Sequence, residues 1–213
     1  MTTLPVRLDR IKAGYTDGAR QLASRSVRVL SESRVTPNQL TALGFALNLV
    51  SAVLVYQEAY IAAAAVFLVG SIIDILDGAL ARSRGRATPF GAFIDSTTDR
   101  VSEGAVLCAA TLVFARHGDT WPVAAVFVAL VASFLVSYTR ARAEALGLEG
   151  KAGLMGRAER VVLLAAILLA APWGALPYGI ALLAVLASGT VVQRIFSVHK
   201  QLALREQQSK EHA

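Results

Sequence analysis

The sequence predicts an all-α integral membrane protein, with six transmembrane helices preceded by an amphipathic juxtamembrane helix. Of its 213 residues, 55% are hydrophobic and only 17% are charged, and the mean hydropathy is +0.54. A soluble domain carries about a quarter charged residues. Several apolar runs reach the roughly 20 helical residues that cross a bilayer, and they lack the alternation of transmembrane β-strands. We therefore expect a single membrane domain over residues 1–213.

Residues 1–35 are predicted to form an amphipathic helix on the membrane surface. Basic residues mix with Leu, Ile, Val and Tyr from residue 4 to residue 34, a composition that suits contact with the lipids of an anionic leaflet. A frayed basic tail is the alternative. Thr36 is a candidate helix N-cap and Pro37 takes the first helical position, so the first span begins here.

Polar, Gly-rich and Pro-rich segments divide the rest of the chain into six spans, which together form a predicted bundle over residues 36–199. Gln57 and Glu58 end the first span, S-R-G-R-A-T-P ends the second, and P-W-G-A-L-P divides the last apolar run. Residues 200–213 are expected to be a cytoplasmic tail. The predicted spans cover residues 37–56, 60–82, 90–116, 121–144, 154–171 and 178–199.

The distribution of positive charge orients these spans. With six of them, all 21 Lys and Arg residues except Arg100 and Arg116 belong to the side that holds both termini. The positive-inside rule makes this side cytoplasmic, which predicts a multi-pass protein of the cell membrane. Because topology accounts for the net charge of +6, no nucleic-acid partner is needed to explain it.

Four aspartates lie in segments that are otherwise apolar enough to cross a bilayer: Asp74, Asp77, Asp95 and Asp99. A charge at membrane depth costs at least about 2.5–3.5 kcal/mol on insertion scales, so these side chains need compensation. A turn of about 100° per residue places the first pair on one face of the second span and the last pair on one face of the third. We expect the four carboxylates to converge on one site near the cytoplasmic ends of both helices.

The acidic site has the ligand chemistry of hard cations. Carboxylates without Cys or His suit Mg²⁺ or Mn²⁺ rather than zinc, and four of them suit two ions about 3.5–4 Å apart, as in phosphoryl chemistry. On the same face, Gly78 would let a substrate approach closely and Arg82 could bind a phosphate. Two other interpretations remain open at this point: acids that pair with basic residues to hold the bundle together, and an ion or proton transporter with an acidic relay.

The pattern D-x2-D-G-x2-A-R-x8-G-x3-D-x3-D, from Asp74 to Asp99, resembles the motif of the CDP-alcohol phosphotransferase family position for position. The resemblance extends over essentially the whole chain, including the six spans and the N-terminal surface helix. It implies an enzyme that transfers a phosphatidyl group from CDP-diacylglycerol to an alcohol and releases CMP. It also implies a homodimer, the usual state of the family.

The resemblance further implies roles for individual residues. Asp74, Asp77 and Asp95 would bind the two Mg²⁺ or Mn²⁺ ions. Asp99 would contact the second ion and act as the general base on the acceptor hydroxyl. The CDP part of CDP-diacylglycerol would contact residues before the first span and around the acidic motif: Thr36, Pro37, Asn38, Gln39, Gly78, Arg82 and Thr88.

Arginines at the cytoplasmic ends of three spans could converge on a second anion: Arg140, Arg142, Arg157, Arg160 and Arg194. The alternative is the ordinary placement of long basic side chains at a membrane interface. The surrounding segments, S-Y-T-R-A-R-A-E, G-R-A-E-R and V-Q-R, resemble the phosphatidylinositol-phosphate synthase branch of the family. That branch implies 1-D-myo-inositol 3-phosphate as the acceptor.

Two departures from that branch affect the acceptor prediction. Arg140 stands where the branch has Lys, and Gly156 stands where it has an acid; Arg and Lys bind phosphate with different geometry. Glycerol 3-phosphate, the acceptor of a phosphatidylglycerophosphate synthase, is therefore the second candidate. Glu103, one turn beyond Asp99, receives no role.

Overall fold

The structure, a computed structural model, describes residues 35–211, and its regular structure consists of helices alone. The all-α prediction is confirmed. The predicted amphipathic helix of residues 1–35 lies, except for its last residue, outside the described residues. The six α-helices are α1 (Pro37–Tyr56), α2 (Tyr60–Ser83), α3 (Pro89–His117), α4 (Thr120–Ala145), α5 (Arg157–Ala170) and α6 (Leu176–Glu211), with a 3₁₀ turn at Ala171–Trp173.

The helix boundaries follow local signals. Thr36 and Gln39 cap α1 reciprocally: the Thr36 N–H donates to Gln39 Oε1 at 2.9 Å, and the Gln39 N–H donates to Thr36 Oγ1 at 3.3 Å. Thr88 caps α3, because its hydroxyl accepts the Gly91 N–H at 3.0 Å. α6 continues past the predicted end of the last span at residue 199, since the sequence K-Q-L-A-L-R-E-Q-Q contains no Gly or Pro and favours helix.

Four of the described helices are long and apolar enough to cross a membrane: α1, α2, α4 and α6, the last over Leu176–Gln208. Two of the six predicted spans do not meet the same measure. α3 carries Asp95, Asp99, Arg100 and Glu103 on consecutive turns, and α5 has only 14 residues. Length and composition therefore establish four candidate spans.

The described residues form two compact units. The first comprises residues 35–46 and 69–99, so it contains the start of α1, the end of α2 and the start of α3. α1 and α2 approach closely at Gly44, where a Cβ atom would lie 2.9 Å from the Gly70 carbonyl oxygen and 3.3 Å from the Asp74 amide nitrogen. Only glycine permits this approach without a shift of backbone, and it brings α1 against the turn that carries Asp74.

The second unit comprises residues 47–68 and 100–211. In it α4 packs along α6, and large apolar side chains such as Phe127, Val185 and Phe196 remain more than half exposed, as suits helices that face lipid. Its core draws on all six helices, through buried residues that include Val55, Phe67, Leu107, Val126, Leu164 and Leu183.

Candidate functional site

Three aspartates of the first unit converge. One carboxylate oxygen from each of Asp74, Asp95 and Asp99 lies within 4.8 Å of the other two. Asp74 comes from α2 and is 6% exposed; the other two come from α3, where a spacing of four residues puts them on one face. The structure thus brings together three of the four carboxylates that the sequence predicts at this site.

The fourth carboxylate, Asp77, is held from α1. It is 3% exposed, and it accepts a hydrogen bond from the hydroxyl of Thr41, which lies 3.1 Å from the Pro37 carbonyl oxygen as well. Asp74 precedes Asp77 by three residues on α2, so the two carboxylates lie on one face of that helix. Asp77 therefore lies beside Asp74, and one of its carboxylate oxygens already accepts a hydrogen bond from the neutral Thr41 hydroxyl.

Thr41 contacts the predicted site residue Asp77, and sequence reasoning missed it. The segment V-T-P-N-Q-L-T does contain it, but attention there went to Thr36–Gln39. A signal was present, because Thr41 lies four residues after Pro37 and a threonine hydroxyl on a helix often bonds back at that spacing. Nothing in the sequence, however, links Thr41 to a carboxylate 36 positions away.

Gly78 and Arg82 lie together, as their spacing on α2 predicts. A Cβ atom at Gly78 would lie 3.3 Å from a terminal guanidinium nitrogen of Arg82, so the guanidinium folds back over this turn of α2. Arg82 is exposed, which leaves it available to a phosphate. Next to it, Arg84 donates to the Val35 carbonyl oxygen at 2.6 Å and ties the end of α2 to the segment before α1.

Three of the predicted nucleotide-binding residues have local structural partners. Thr36 and Gln39 bond to each other across the first turn of α1, and Thr88 caps α3. Pro37 occupies the first helical position and Asn38 is exposed beside it. Their contact with a nucleotide remains a prediction.

The donor set of the acidic group fits a hard divalent cation. All three converging ligands are carboxylate oxygens, the ligand type that Mg²⁺ and Mn²⁺ prefer. Three like charges this close also repel one another strongly in a partly buried site, and a bound cation removes that repulsion. The arrangement can therefore hold a metal and position an anionic substrate against it.

A basic cluster lies in the second unit. Arg160 is 4% exposed and makes a two-pronged bond to Glu103: Nε donates to Oε1 at 2.8 Å and a terminal nitrogen donates to Oε2 at 2.9 Å. Sequence reasoning gave Glu103 no role, and the structure makes it the partner that fixes this arginine. Pairs with this geometry are strong and directional.

Arg194 is the centre of the basic cluster. It is 5% exposed, and it donates to the carbonyl oxygens of Ala152, at 2.8 Å, and Val136. The Val136 carbonyl oxygen lies one turn before Arg140 on α4. Because two hydrogen bonds of Arg194 go to neutral carbonyl oxygens, those bonds leave its positive charge in place.

The other three predicted arginines are more exposed than Arg160 and Arg194. Arg140 is exposed and donates to Glu144 one turn later at 2.8 Å. Arg142 is exposed near the end of α4, and Arg157 is half-buried at the start of α5. Arg194 is bonded to α4 one turn before Arg140, while a shared site for the five arginines remains a prediction.

Comparison with known proteins identifies the family. Residues 34–192 match the family model described as CDP-alcohol phosphatidyltransferase. The chain belongs to this family. The family membership that the motif from Asp74 to Asp99 predicts is therefore confirmed.

Relatives of this phosphatidyltransferase share most of its length. An archaetidylinositol phosphate synthase of Pyrococcus horikoshii is 36% identical over 186 residues, which are 87% of this chain and 95% of the relative. The crystal structure of Mycobacterium tuberculosis phosphatidylinositol phosphate synthase with CDP-DAG bound matches with a TM-score of 0.75 and 35% identity, over 84% of this chain and 94% of that one.

A second structure of the mycobacterial enzyme bears on the metal. Its complex with manganese and citrate matches with a TM-score of 0.75 and 37% identity, over 83% of this chain and 88% of that one. A relative with the same fold therefore takes the class of cation for which the carboxylates of this chain are suited.

Proposed function

We propose that this phosphatidyltransferase transfers the phosphatidyl group of CDP-diacylglycerol to a hydroxyl of 1-D-myo-inositol 3-phosphate. The acceptor oxygen forms a bond to the phosphatidyl phosphorus, and the bond from that phosphorus to the CMP oxygen breaks. CMP leaves with the electron pair, and the proton of the acceptor hydroxyl passes to a carboxylate. The products are phosphatidylinositol phosphate and CMP.

The observation that carries this proposal is the convergence of Asp74, Asp95 and Asp99 in a chain of this family. We propose that these three carboxylates, together with Asp77, hold two Mg²⁺ ions, with Mn²⁺ as a substitute. When bound, such ions stabilise negative charge on the diphosphate and on the leaving phosphate. The Thr41 hydroxyl would orient the Asp77 carboxylate.

Asp99 is the proposed general base. It belongs to the converging group, is partly exposed and lies on the face of α3 that carries Asp95, so an acceptor hydroxyl can reach it. Arg82 would bind a phosphate of CDP-diacylglycerol, since its guanidinium is exposed beside Gly78. Around it, the nucleotide would contact Thr36, Pro37, Asn38, Gln39, Gly78 and Thr88.

The basic cluster supports a phosphorylated acceptor. Arg194 bonds to α4 one turn before Arg140, and Glu103 holds Arg160. Guanidinium groups at fixed positions suit a phosphate. The Pyrococcus and mycobacterial relatives are both named as synthases of inositol phosphate lipids, which favours the inositol acceptor over glycerol 3-phosphate. We propose that Arg142 and Arg157 complete the acceptor site.

We also propose that α3 and α5 cross the membrane with the four candidate spans. The 29 residues of α3 extend about 44 Å at 1.5 Å per residue, enough to cross despite the charges at one end. α5 is shorter, but the 3₁₀ turn at Ala171–Trp173 continues it. Six spans would put both termini and the acidic site at the cytoplasmic face, and we propose a homodimer in the cell membrane.

The test offers four acceptors in parallel to the purified protein with CDP-diacylglycerol and Mg²⁺: inositol 3-phosphate, glycerol 3-phosphate, free inositol and serine. Release of CMP and the mass of the lipid product are measured without any membrane gradient. We expect product only with inositol 3-phosphate. Product from glycerol 3-phosphate instead would identify a phosphatidylglycerophosphate synthase, and product only from free inositol or serine would refute the arginine site. A transporter would release no CMP.

A further inference from the structure

The connection between α4 and α5, residues 146–156, is held by a row of side chains on α6. Measured from Thr190, the members lie at steps of 3, 4, 11 and 15 residues, which places them within an arc of roughly 120° on one face of the helix. Each of them bonds to the backbone of the connection. We call this row the α6 clasp, and it consists of Thr190, Gln193, Arg194, Gln201 and Arg205.

The outer part of the clasp holds the end of α4. The Gln201 side-chain amide pairs with the backbone of Glu149: Oε1 accepts the Glu149 N–H at 2.9 Å, and Nε2 donates to the Glu149 carbonyl oxygen at 3.1 Å. Arg205 donates to the carbonyl oxygens of Leu146, at 3.2 Å, and Gly147. A cation at this place also interacts favourably with the C-terminal end of the α4 dipole.

The inner part of the clasp holds the approach to α5. Gln193 accepts the Leu154 N–H at 3.2 Å, and the Thr190 hydroxyl accepts the Met155 N–H at 3.0 Å. Arg194 donates to the Ala152 carbonyl oxygen at 2.8 Å. The backbone of the connection is therefore bonded to α6 at intervals along its whole length.

The connection in turn contacts the basic cluster. A Cβ atom at Gly150 would lie 2.8 Å from the Arg140 carbonyl oxygen and 3.0 Å from its Cγ, so the backbone at Gly150 packs directly on Arg140. Gly150 follows Glu149, whose N–H and carbonyl oxygen both bond to the Gln201 side chain. The Gln201 bonds therefore fix the backbone next to the contact between Gly150 and Arg140. Arg194 also belongs to the clasp.

We infer that the α6 clasp is a positioning device for the acceptor phosphate, with Gln201 as its most specific member. This inference rests on the proposed function. Gln201 is seven residues, about two turns, beyond Arg194 on α6. Its side chain bonds to the connection and, at 3.3 Å, to the Ser197 hydroxyl on its own helix. Its effect on an acceptor is therefore indirect, through the places of Arg140 and Arg194.

The experiment compares Gln201→Ala with Gln207→Ala in the full-length protein. Gln207 is an exposed glutamine of the same helix, so its substitution matches the change in composition. For Gln201→Ala we expect the KM for inositol 3-phosphate to rise by up to about tenfold. The one or two hydrogen bonds that are lost set this upper limit, because Gln201 acts on the acceptor only through Arg140 and Arg194. The kcat value and the KM for CDP-diacylglycerol should stay within twofold of the control, a split that general unfolding would not produce.

Two further measurements keep the test decisive. Hydrogen exchange at the Glu149 amide should become at least tenfold faster in Gln201→Ala than in Gln207→Ala. Gly150→Ala acts from the opposite side, because its methyl group would collide with the Arg140 backbone, and we expect it to raise the same KM.

The outcomes separate this inference from the proposed function. Wild-type protein that releases no CMP with inositol 3-phosphate would overturn the proposed function and this inference with it. Active wild-type protein whose acceptor KM is unchanged by both Gln201→Ala and Gly150→Ala would overturn the positioning role alone. An equal rise in the KM values for both substrates would also overturn it.

Discussion

Removal of the Thr41 hydroxyl should damage the acidic site without any loss of volume. Thr41→Val replaces the hydroxyl by a methyl group, and the carboxylate of Asp77, a residue only 3% exposed, loses the hydrogen bond that it accepts from α1. A hydrogen bond to a charged group contributes about 1.5–3 kcal/mol, and a buried acceptor left without its donor costs a similar amount. We therefore expect Thr41→Val to lower the free energy of unfolding by about 2 kcal/mol.

Thr41→Val should also lower the affinity of the acidic site for Mg²⁺. A residue that orients a metal ligand typically contributes 10- to 100-fold in metal affinity or activity, so we expect the Mg²⁺ concentration for half-maximal CMP release to rise about tenfold. Unfolding in detergent micelles and CMP release over a Mg²⁺ titration measure the two effects.

Two control variants show whether an effect of Thr41→Val comes from the lost hydrogen bond to Asp77. Thr41→Ser keeps the hydroxyl and should stay close to wild type. Thr111→Val is the matched substitution at a threonine whose hydroxyl bonds only one turn back within α3, to Leu107 at 3.1 Å. If Thr41→Val behaves like Thr111→Val in both stability and Mg²⁺ dependence, the reasoning about Asp77 is refuted.

Three other changes test separate parts of the account. Gly44→Ala places a methyl group 2.9 Å from the Gly70 carbonyl oxygen, so we expect a loss of about 1–3 kcal/mol in unfolding free energy; unchanged stability would contradict the close packing of α1 on α2. Glu103→Gln leaves Arg160 without its charged partner and should cost about 1.5–3 kcal/mol, whereas Glu206→Gln on the exposed part of α6 should cost nothing measurable. Asp99→Asn should retain CDP-diacylglycerol binding, measured by calorimetry, while losing turnover; full activity would refute its role as the base.

The sequence predicted best what depends on local spacing. Apolar runs and the predicted N-cap Thr36 determine helix boundaries, and the four-residue step from Asp95 to Asp99 determines a shared helical face. Such features need no knowledge of tertiary contacts, because a helix repeats every 3.6 residues. The family motif combined these positions, so the fold and the acidic group could both be anticipated.

The sequence could not predict the partners that come from distant segments. Thr41 bonds to Asp77 across 36 positions, and Glu103 bonds to Arg160 across 57. No periodicity links such pairs, since they depend on how helices pack. For the same reason the contact between Gln201 and Glu149 could not be read from the tail, which composition alone presents as a polar, charged segment.

Two features of the helices limit the number of candidate spans. The charged residues of α3 lower its hydropathy and α5 has only 14 residues, so length and composition identify four candidate spans where six were predicted. A functional helix in a membrane protein carries polar residues because its neighbours and ligands compensate for them. Hydropathy averaged over a single helix does not include that compensation.

The most direct test of the central claim is CMP release by purified wild-type protein before and after chelation with EDTA. The assay contains CDP-diacylglycerol and inositol 3-phosphate, with no gradient across any membrane. If Asp74, Asp95 and Asp99 hold the catalytic cations, release should stop on chelation and return when Mg²⁺ or Mn²⁺ is added in excess. CMP release that continues in EDTA at the wild-type rate would contradict a metal-dependent phosphatidyl transfer at this site.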